Sequence, residues 1–234
     1  MIEKNTQPLI VFCLIGMVFI FGSSCGLLGG EKEKNTPDDL MPLAVGNYWE
    51  YDFTYLEVIK DTLRYEITAG VEVPVGDTSY TAYAANFLPF PSGAPEYYWL
   101  YRNGEAGVYQ MGGMAETDTL FMNNIRRMYP AEEGQTWDIP QLSFSRDSLE
   151  FYVSDTLSIT LIDDGREIVT SAGTFECYVY KFKIDFYEEG VVFTTWDYFM
   201  YYSSGVGLVA QISTSEDKPE SIKEEMYLMD FSLK

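Results

Sequence analysis

The chain has 234 residues, 47% apolar and 16% aromatic, with a net charge of −21. That length and apolar content exclude a disordered chain and allow a sizeable core. The acidity sets the surface against phosphate backbones and anionic headgroups, which argues against nucleic acid as a partner.

Residues 1–8 are polar, with Lys4 set against Glu3, and residues 9–21 (LIVFCLIGMVFIF) are continuously apolar. A helix needs about 20 residues to cross a bilayer core, so the run fits the apolar stretch of an export signal better than a span. Gly22, Ser23, Ser24 and Cys25 follow. This ending resembles the bacterial lipobox, a short small-residue motif that closes on an invariant cysteine. Gly22 departs from it, because leucine is commonest there. The resemblance implies cleavage between Ser24 and Cys25, a diacylglyceryl group on the Cys25 thiol and acylation of the new amine. Two or more acyl chains hold a protein stably on a membrane, where one binds only marginally. No cofactor beyond this covalent lipid is expected, and the membrane partner is reached through it.

Residues 26–40 (GLLGGEKEKNTPDDL) lack an apolar period and read as a flexible spacer. The expected organisation is therefore a signal peptide over 1–24, a lipidated cysteine and linker over 25–40, and a β-rich soluble domain over 41–234. Gly26 carries no acidic retention signal. The cell envelope is expected, with the outer membrane favoured over the inner where both exist.

From Met41 onward the pattern has period two. Trp49, Tyr51, Phe53 and Tyr55 alternate with polar residues, as do Leu63, Tyr65, Ile67 and Ala69. Phe151 and Val153 lead into Leu157, Ile159 and Leu161. This is the signature of antiparallel strands with one buried face. Asp163-Asp164-Gly165 and Asn103-Gly104 read as hairpin turns. A short helix is expected around Asn123–Met128. The fold class is all-β: a mainly antiparallel sheet, curled or barrel-like.

A further reading of the sequence divides the sheet into two diverged repeats, 42–122 and 130–234. Pro42-x-x-x-Gly46-x-x-Trp49 recurs as Pro130-x-x-x-Gly134-x-x-Trp137, and 98–109 aligns without gaps on 198–209. That alignment pairs Tyr98 with Tyr198 and Tyr101 with Tyr201. Gly76 to Tyr83 likewise resembles Gly173 to Tyr180. Trp49 and Trp137 are expected to be buried at the edges of one core.

PLAVGNYWEY (42–51), SAGTFECYVYKF (171–182) and YFMYYSSGVGLV (198–209) resemble a set that recurs in uncharacterised bacterial lipoproteins. Those proteins carry a PL-x-VGN-x-W-x-Y opening, a GTF-x-C strand and a GVGLV hairpin. The resemblance implies an exported β-rich domain and brings no catalytic residues. A more distant likeness in general fold is to the half-barrel lipoprotein carriers of the periplasm.

With no histidine among the residues, Ser-His-Asp and Cys-His arrangements and histidine zinc sites are excluded. The string Ser215-x-x-Lys218 lies in a polar loop before Pro219 and lacks its companion motifs. No calcium-type D-x-D-x-D-G string occurs. Glu132-Glu133, Asp163-Asp164 and Glu188-Glu189 read as solvated turns. Cys177, left without a partner once Cys25 is acylated, is expected to be buried and inert on the face of Phe175 and Val179. Tyr97, Tyr98, Tyr101, Tyr198, Tyr201 and Tyr202 place rings on both faces of the sheet.

No catalytic or metal residues are assigned, and no ligand-binding residue is singled out. The expected function is a membrane-anchored, non-enzymatic envelope lipoprotein with a binding or scaffolding domain; an envelope protein, glycan or amphiphile is the expected partner. The rivals are a carrier or sensor of an amphiphile and a carboxylate-dependent glycan hydrolase. The hydrolase needs two facing carboxylates about 5–10 Å apart.

Overall fold

Among the described residues the alternating pattern is realised as twelve antiparallel strands in one sheet. The computed structural model describes residues 39–88, 96–105, 107–116, 118–126, 129, 131–145, 148–188, 191–215 and 218–234. The strands are β1 (Tyr48–Tyr55), β2 (Ile59–Val75), β3 (Thr78–Leu88), β4 (Tyr97–Gly104), β5 (Gly107–Ala115) and β6 (Thr119–Arg126). They continue as β7 (Thr136–Ser145), β8 (Glu150–Thr170), β9 (Gly173–Glu188), β10 (Val191–Ser203), β11 (Gly207–Ser215) and β12 (Lys218–Ser232). Their order is β6-β5-β4-β3-β2-β1-β12-β11-β10-β9-β8-β7. Two six-stranded meanders therefore lie side by side, joined where β1 pairs β12.

The sheet curls until its edge strands, β6 and β7, approach each other. Side chains span the remaining seam. The Tyr97 and Phe144 rings stack at 4.6 Å, and Phe151 meets Trp99 edge-on at 5.5 Å. The Phe151 amide donates to Asp118 Oδ2 at 2.8 Å. The interior of this barrel-like shell is the main core. It holds Trp49, Tyr51, Tyr65, Trp99, Tyr101, Tyr180, Phe182, Tyr198 and Tyr202, all fully buried or nearly so. Each such ring removes about 150–250 Å² from water, so aromatic burial dominates the cohesion of the shell.

The two meanders repeat one device. Gly46 and Gly134 have φ of 86° and 84°, a region only glycine enters without strain. The Gly46 amide donates to Ile67 O at 2.8 Å and Asn47 O accepts from Ile67 N at 3.0 Å. In the second meander Gly134 donates to Leu161 O at 2.7 Å and Gln135 O accepts from Leu161 N at 3.0 Å. The two Pro-x-x-x-Gly elements thus clip the chain onto the second strand of each meander. The tryptophans that follow differ. Trp49 is fully buried and donates to Val206 O at 2.6 Å. Trp137 is half-buried, and among the described residues its Nε1 has no acceptor.

The lower end of the barrel, where β1 begins and β12 ends, is stopped by the segment before β1. Leu40, Met41 and Leu43 are buried in the core. Asp39 O accepts from Gly205 N at 2.6 Å, and Lys234 N donates to Asn47 Oδ1 at 2.9 Å. Asp39 and Leu40, expected at the end of the spacer, are therefore part of the folded domain: the leucine fills the barrel end, and apolar burial outweighs the lack of local periodicity.

Three local expectations are corrected. Asp163-Asp164-Gly165 is no hairpin turn, because β8 runs through it. The register shifts on either side of Asp163, and the Asp163 carboxylate accepts from the Gly165 amide at 3.0 Å, which makes a bulge. The turn comes later, at Ser171-Ala172, between Thr170 and Gly173. No helix forms at 123–126, where the backbone is strand β6; 127 and 128 lie outside the described residues. Finally, Gly104 still pairs with Gly107, so the β4–β5 turn falls just after Asn103-Gly104.

Bulges also flip two residues that the alternation placed inside. A shift between Ile67 and Ala69 sends Ala69 to a second cluster around Val73, Ala82, Leu100 and Met111, on the other face. Val153 is half-exposed, next to a shift where β7 runs from Pro140 to Leu142.

Candidate functional site

The upper end of the barrel carries the β1–β2, β5–β6, β7–β8 and β11–β12 turns. Just inside it, one row of register partners crosses five strands: Tyr55 on β1, Glu224 on β12, Ser213 on β11, Tyr198 on β10 and Phe182 on β9. Direct partners in a ladder share a face, so all five point into the barrel. None is more than 5% exposed. Trp196, one inward position nearer the mouth on β10, completes the group. Tyr55 and Trp196 lie 6.4 Å apart between ring centroids, Trp196 and Tyr198 also 6.4 Å, and Phe182 stacks on Tyr198 at 5.4 Å.

Glu224 is the chemical centre of the row. Burial pushes its carboxyl up to about 8, against which the Tyr198 hydroxyl works in the other direction. At neutral pH the carboxyl is therefore mostly protonated. Burial also raises Tyr198, and the Glu224 charge adds to that, while Ser213 acts in opposition. The three groups touch electrostatically without satisfying one another, since no hydrogen bond of good geometry reaches Tyr198 Oη or Ser213 Oγ. Buried polar groups usually have partners, so the Tyr198 and Ser213 hydroxyls are exceptions. The row contains one carboxyl and three hydroxyls, and no second carboxyl with which to run acid–base glycan chemistry.

The residues singled out from sequence fall elsewhere. Ser24 and Cys25 lie outside the described residues. Cys177 is fully buried, its thiol 3.8 Å from Phe175 O and pushed up to about 12 by burial, with Glu176 adding to it. A thiol so placed is inert. Ser215 and Lys218 are partners closing the β11–β12 hairpin, which gives the S-x-x-K string no helix. Among the described residues no group of three or more His, Cys, Asp and Glu side chains could hold a metal, and no helix is long and apolar enough to cross a membrane.

The tyrosines divide between faces. Tyr97, Tyr101, Tyr198 and Tyr202 are in the main core, whereas Tyr98 packs on the second cluster and Tyr201 is half-buried. The gapless pairing of Tyr98 with Tyr198 consequently sets an outward ring against an inward one. Glu224 itself escapes a sequence reading. It shares parity with the buried Met226 and Leu228, but Lys223 and Glu225 beside it give the local string KEEM a solvated look.

No protein-family model matches the chain, and no curated protein matches it. Two solved structures resemble it in fold. One, from Parabacteroides distasonis ATCC 8503, is named as a lipoprotein; it has a TM-score of 0.47 and 14% identity, covering 82% of this chain and 98% of that one. The other, from Bacteroides fragilis NCTC 9343, is named as an exported protein with a YmcC-like fold; it has a TM-score of 0.45 and 11% identity, covering 82% and 97%.

Proposed function

We propose that this chain is a lipid-anchored envelope protein, tethered through acylated Cys25, whose barrel-like domain binds a partner rather than catalysing a reaction. The observation that carries the anchor is the apolar run 9–21 ending on Gly22-Ser23-Ser24-Cys25. The absence of an acidic residue after Cys25 favours the outer membrane where there is one. The fold supports the tethered geometry: the chain reaches the domain at the lower end, at Asp39, and leaves the upper mouth facing away from its point of attachment. Binding is favoured over catalysis by the upper row, in which a single carboxyl sits among hydroxyls and rings. That same row makes a polar ligand with an apolar body the second reading, as in a carrier or sensor of an amphiphile.

The test of the anchor is metabolic labelling with a fatty-acid analogue in the producing bacterium. The parent chain should incorporate label and fractionate with membranes. Cys25→Ser should lose the label and accumulate as unprocessed precursor. Equal labelling of the two would show that Cys25 is not the acceptor.

A further inference from the structure

We propose that the upper mouth of the barrel binds a primary ammonium group, with Glu224 as its counter-ion and the Tyr55, Trp196 and Tyr198 rings as its walls. The proposal rests on the reading of the domain as a binding module and names the chemistry of its ligand. Three observations converge on it. First, Glu224 is 4% exposed, and among the described residues no lysine or arginine forms an ion pair with it. Buried carboxyls without a cationic partner are rare, and the natural complement is a cation that arrives from outside.

Second, the group is walled by aromatic rings. Tyr55, Trp196 and Tyr198 follow one another at 6.4 Å centroid spacings. Ring faces carry negative potential and attract ammonium groups within about 6 Å, most strongly when water is excluded. Third, the row supplies acceptors. A primary ammonium has three N–H donors and no acceptor. The row offers four oxygen-bearing side chains, those of Tyr55, Glu224, Ser213 and Tyr198, and the Glu224 carboxylate lies next to the Ser213 and Tyr198 hydroxyls on the adjacent strands β12, β11 and β10. Neither hydroxyl has a well-formed bond of its own. Tyr55 and Trp196, at 5% and 8% exposed, are the members of the group nearest to solvent.

Binding carries a proton ledger. In the free protein burial keeps the Glu224 carboxyl protonated at neutral pH. The ammonium stabilises the carboxylate, so the carboxyl proton leaves to solvent as the ion pair forms. Tyr55 and Tyr198, the other titratable groups that face Glu224, are both raised and stay protonated throughout.

The test is a calorimetric titration of the full-length chain at pH 7 with butylamine, butanol and butyltrimethylammonium. Butylamine should bind saturably at millimolar concentration, at least roughly tenfold tighter than butanol, which lacks the charge, and than the trimethyl compound, which lacks the donors. Its heat should vary with the ionisation enthalpy of the buffer by close to one released proton. Glu224→Gln should remove the linked proton and weaken butylamine at least roughly tenfold, with its unfolding transition retained as proof of folding. Equal binding of butylamine and butanol to the parent chain, an unchanged Glu224→Gln affinity, or no saturable heat with butylamine would each overturn the ammonium site. None of these outcomes bears on the labelling of Cys25, so the site and the anchor fail separately.

Discussion

At the scale of single residues, Glu224 should make the stability of the domain depend on pH in a particular direction. Its folded carboxyl is raised to about 8 from an ordinary 4.5. Between those values the folded state holds a proton that the unfolded state has lost, so stability is greatest below about 4.5 and falls as pH rises through about 8. At about 1.4 kcal/mol per unit, the full loss is on the order of 5 kcal/mol. The chain has no histidine, the side chain that ordinarily changes charge between pH 5 and 8. The urea midpoint of the parent chain should therefore drop between pH 5 and pH 8, while Glu224→Gln should show nearly the same midpoint at both. A parent chain indifferent to pH would mean that Glu224 is solvated. Cys177, by contrast, was legible in the sequence, because its neighbours Phe175 and Val179 announce an apolar face. Glu224 was not, because its burial is decided by the packing of other strands, β1 with Tyr55 among them, and not by its own neighbours in the chain.

At the scale of elements, the strands were readable and their irregularities were not. Trp49 to Tyr55 alternate because both neighbours, β2 and β12, hold β1 with its rings inward. The bulges at Ile67–Ala69 and around Asp163 answer to the curl of the sheet, which no local string encodes. Gly113 marks where that curl brings opposite sides into contact. A Cβ there would lie 2.2 Å from Phe151 Cε1 on β8, across the seam. Gly113→Ala should overpack the seam and cost about 1–3 kcal/mol. Adding Phe151→Leu should return part of that loss, since the smaller side chain leaves room for the methyl. Urea unfolding of the two singles and the double would show it; strictly additive losses would mean that the ring and the glycine do not meet in solution.

For the whole molecule, the two meanders, which hold the expected repeats 42–122 and 130–234, share one interior and should unfold as one unit. Core rings from both halves interleave: Trp49 bonds Val206, and Tyr51 donates to Leu208 O at 2.9 Å. Trp49→Ala, in a fully buried position, should cost about 3–5 kcal/mol. Trp137→Ala should cost less, because Trp137 is half-buried and its indole N–H has no acceptor among the described residues. Both should shift a single cooperative transition, read by fluorescence and circular dichroism together. Two transitions, each moved by one substitution, would sink the shared-core account. The turns that repeat were visible as Pro-x-x-x-Gly-x-x-Trp strings. The inequality of the two tryptophans was not, since it arises from closure at the β1–β12 pair and not at the β6–β7 seam.

The lower-end stopper has a mechanical consequence. The chain joins the barrel at Asp39 and ends at Lys234 on the same rim, where Lys234 N is bonded to Asn47. Were the chain tethered through Cys25 as proposed, a pull on it would act along β1, whose rungs to β2 and β12 lie across the direction of the load. Strands loaded this way slide against all their rungs at once and do not unzip one rung at a time. A partner gripping the upper mouth would place the domain in series with its anchor, in the orientation in which an antiparallel sheet bears tension best.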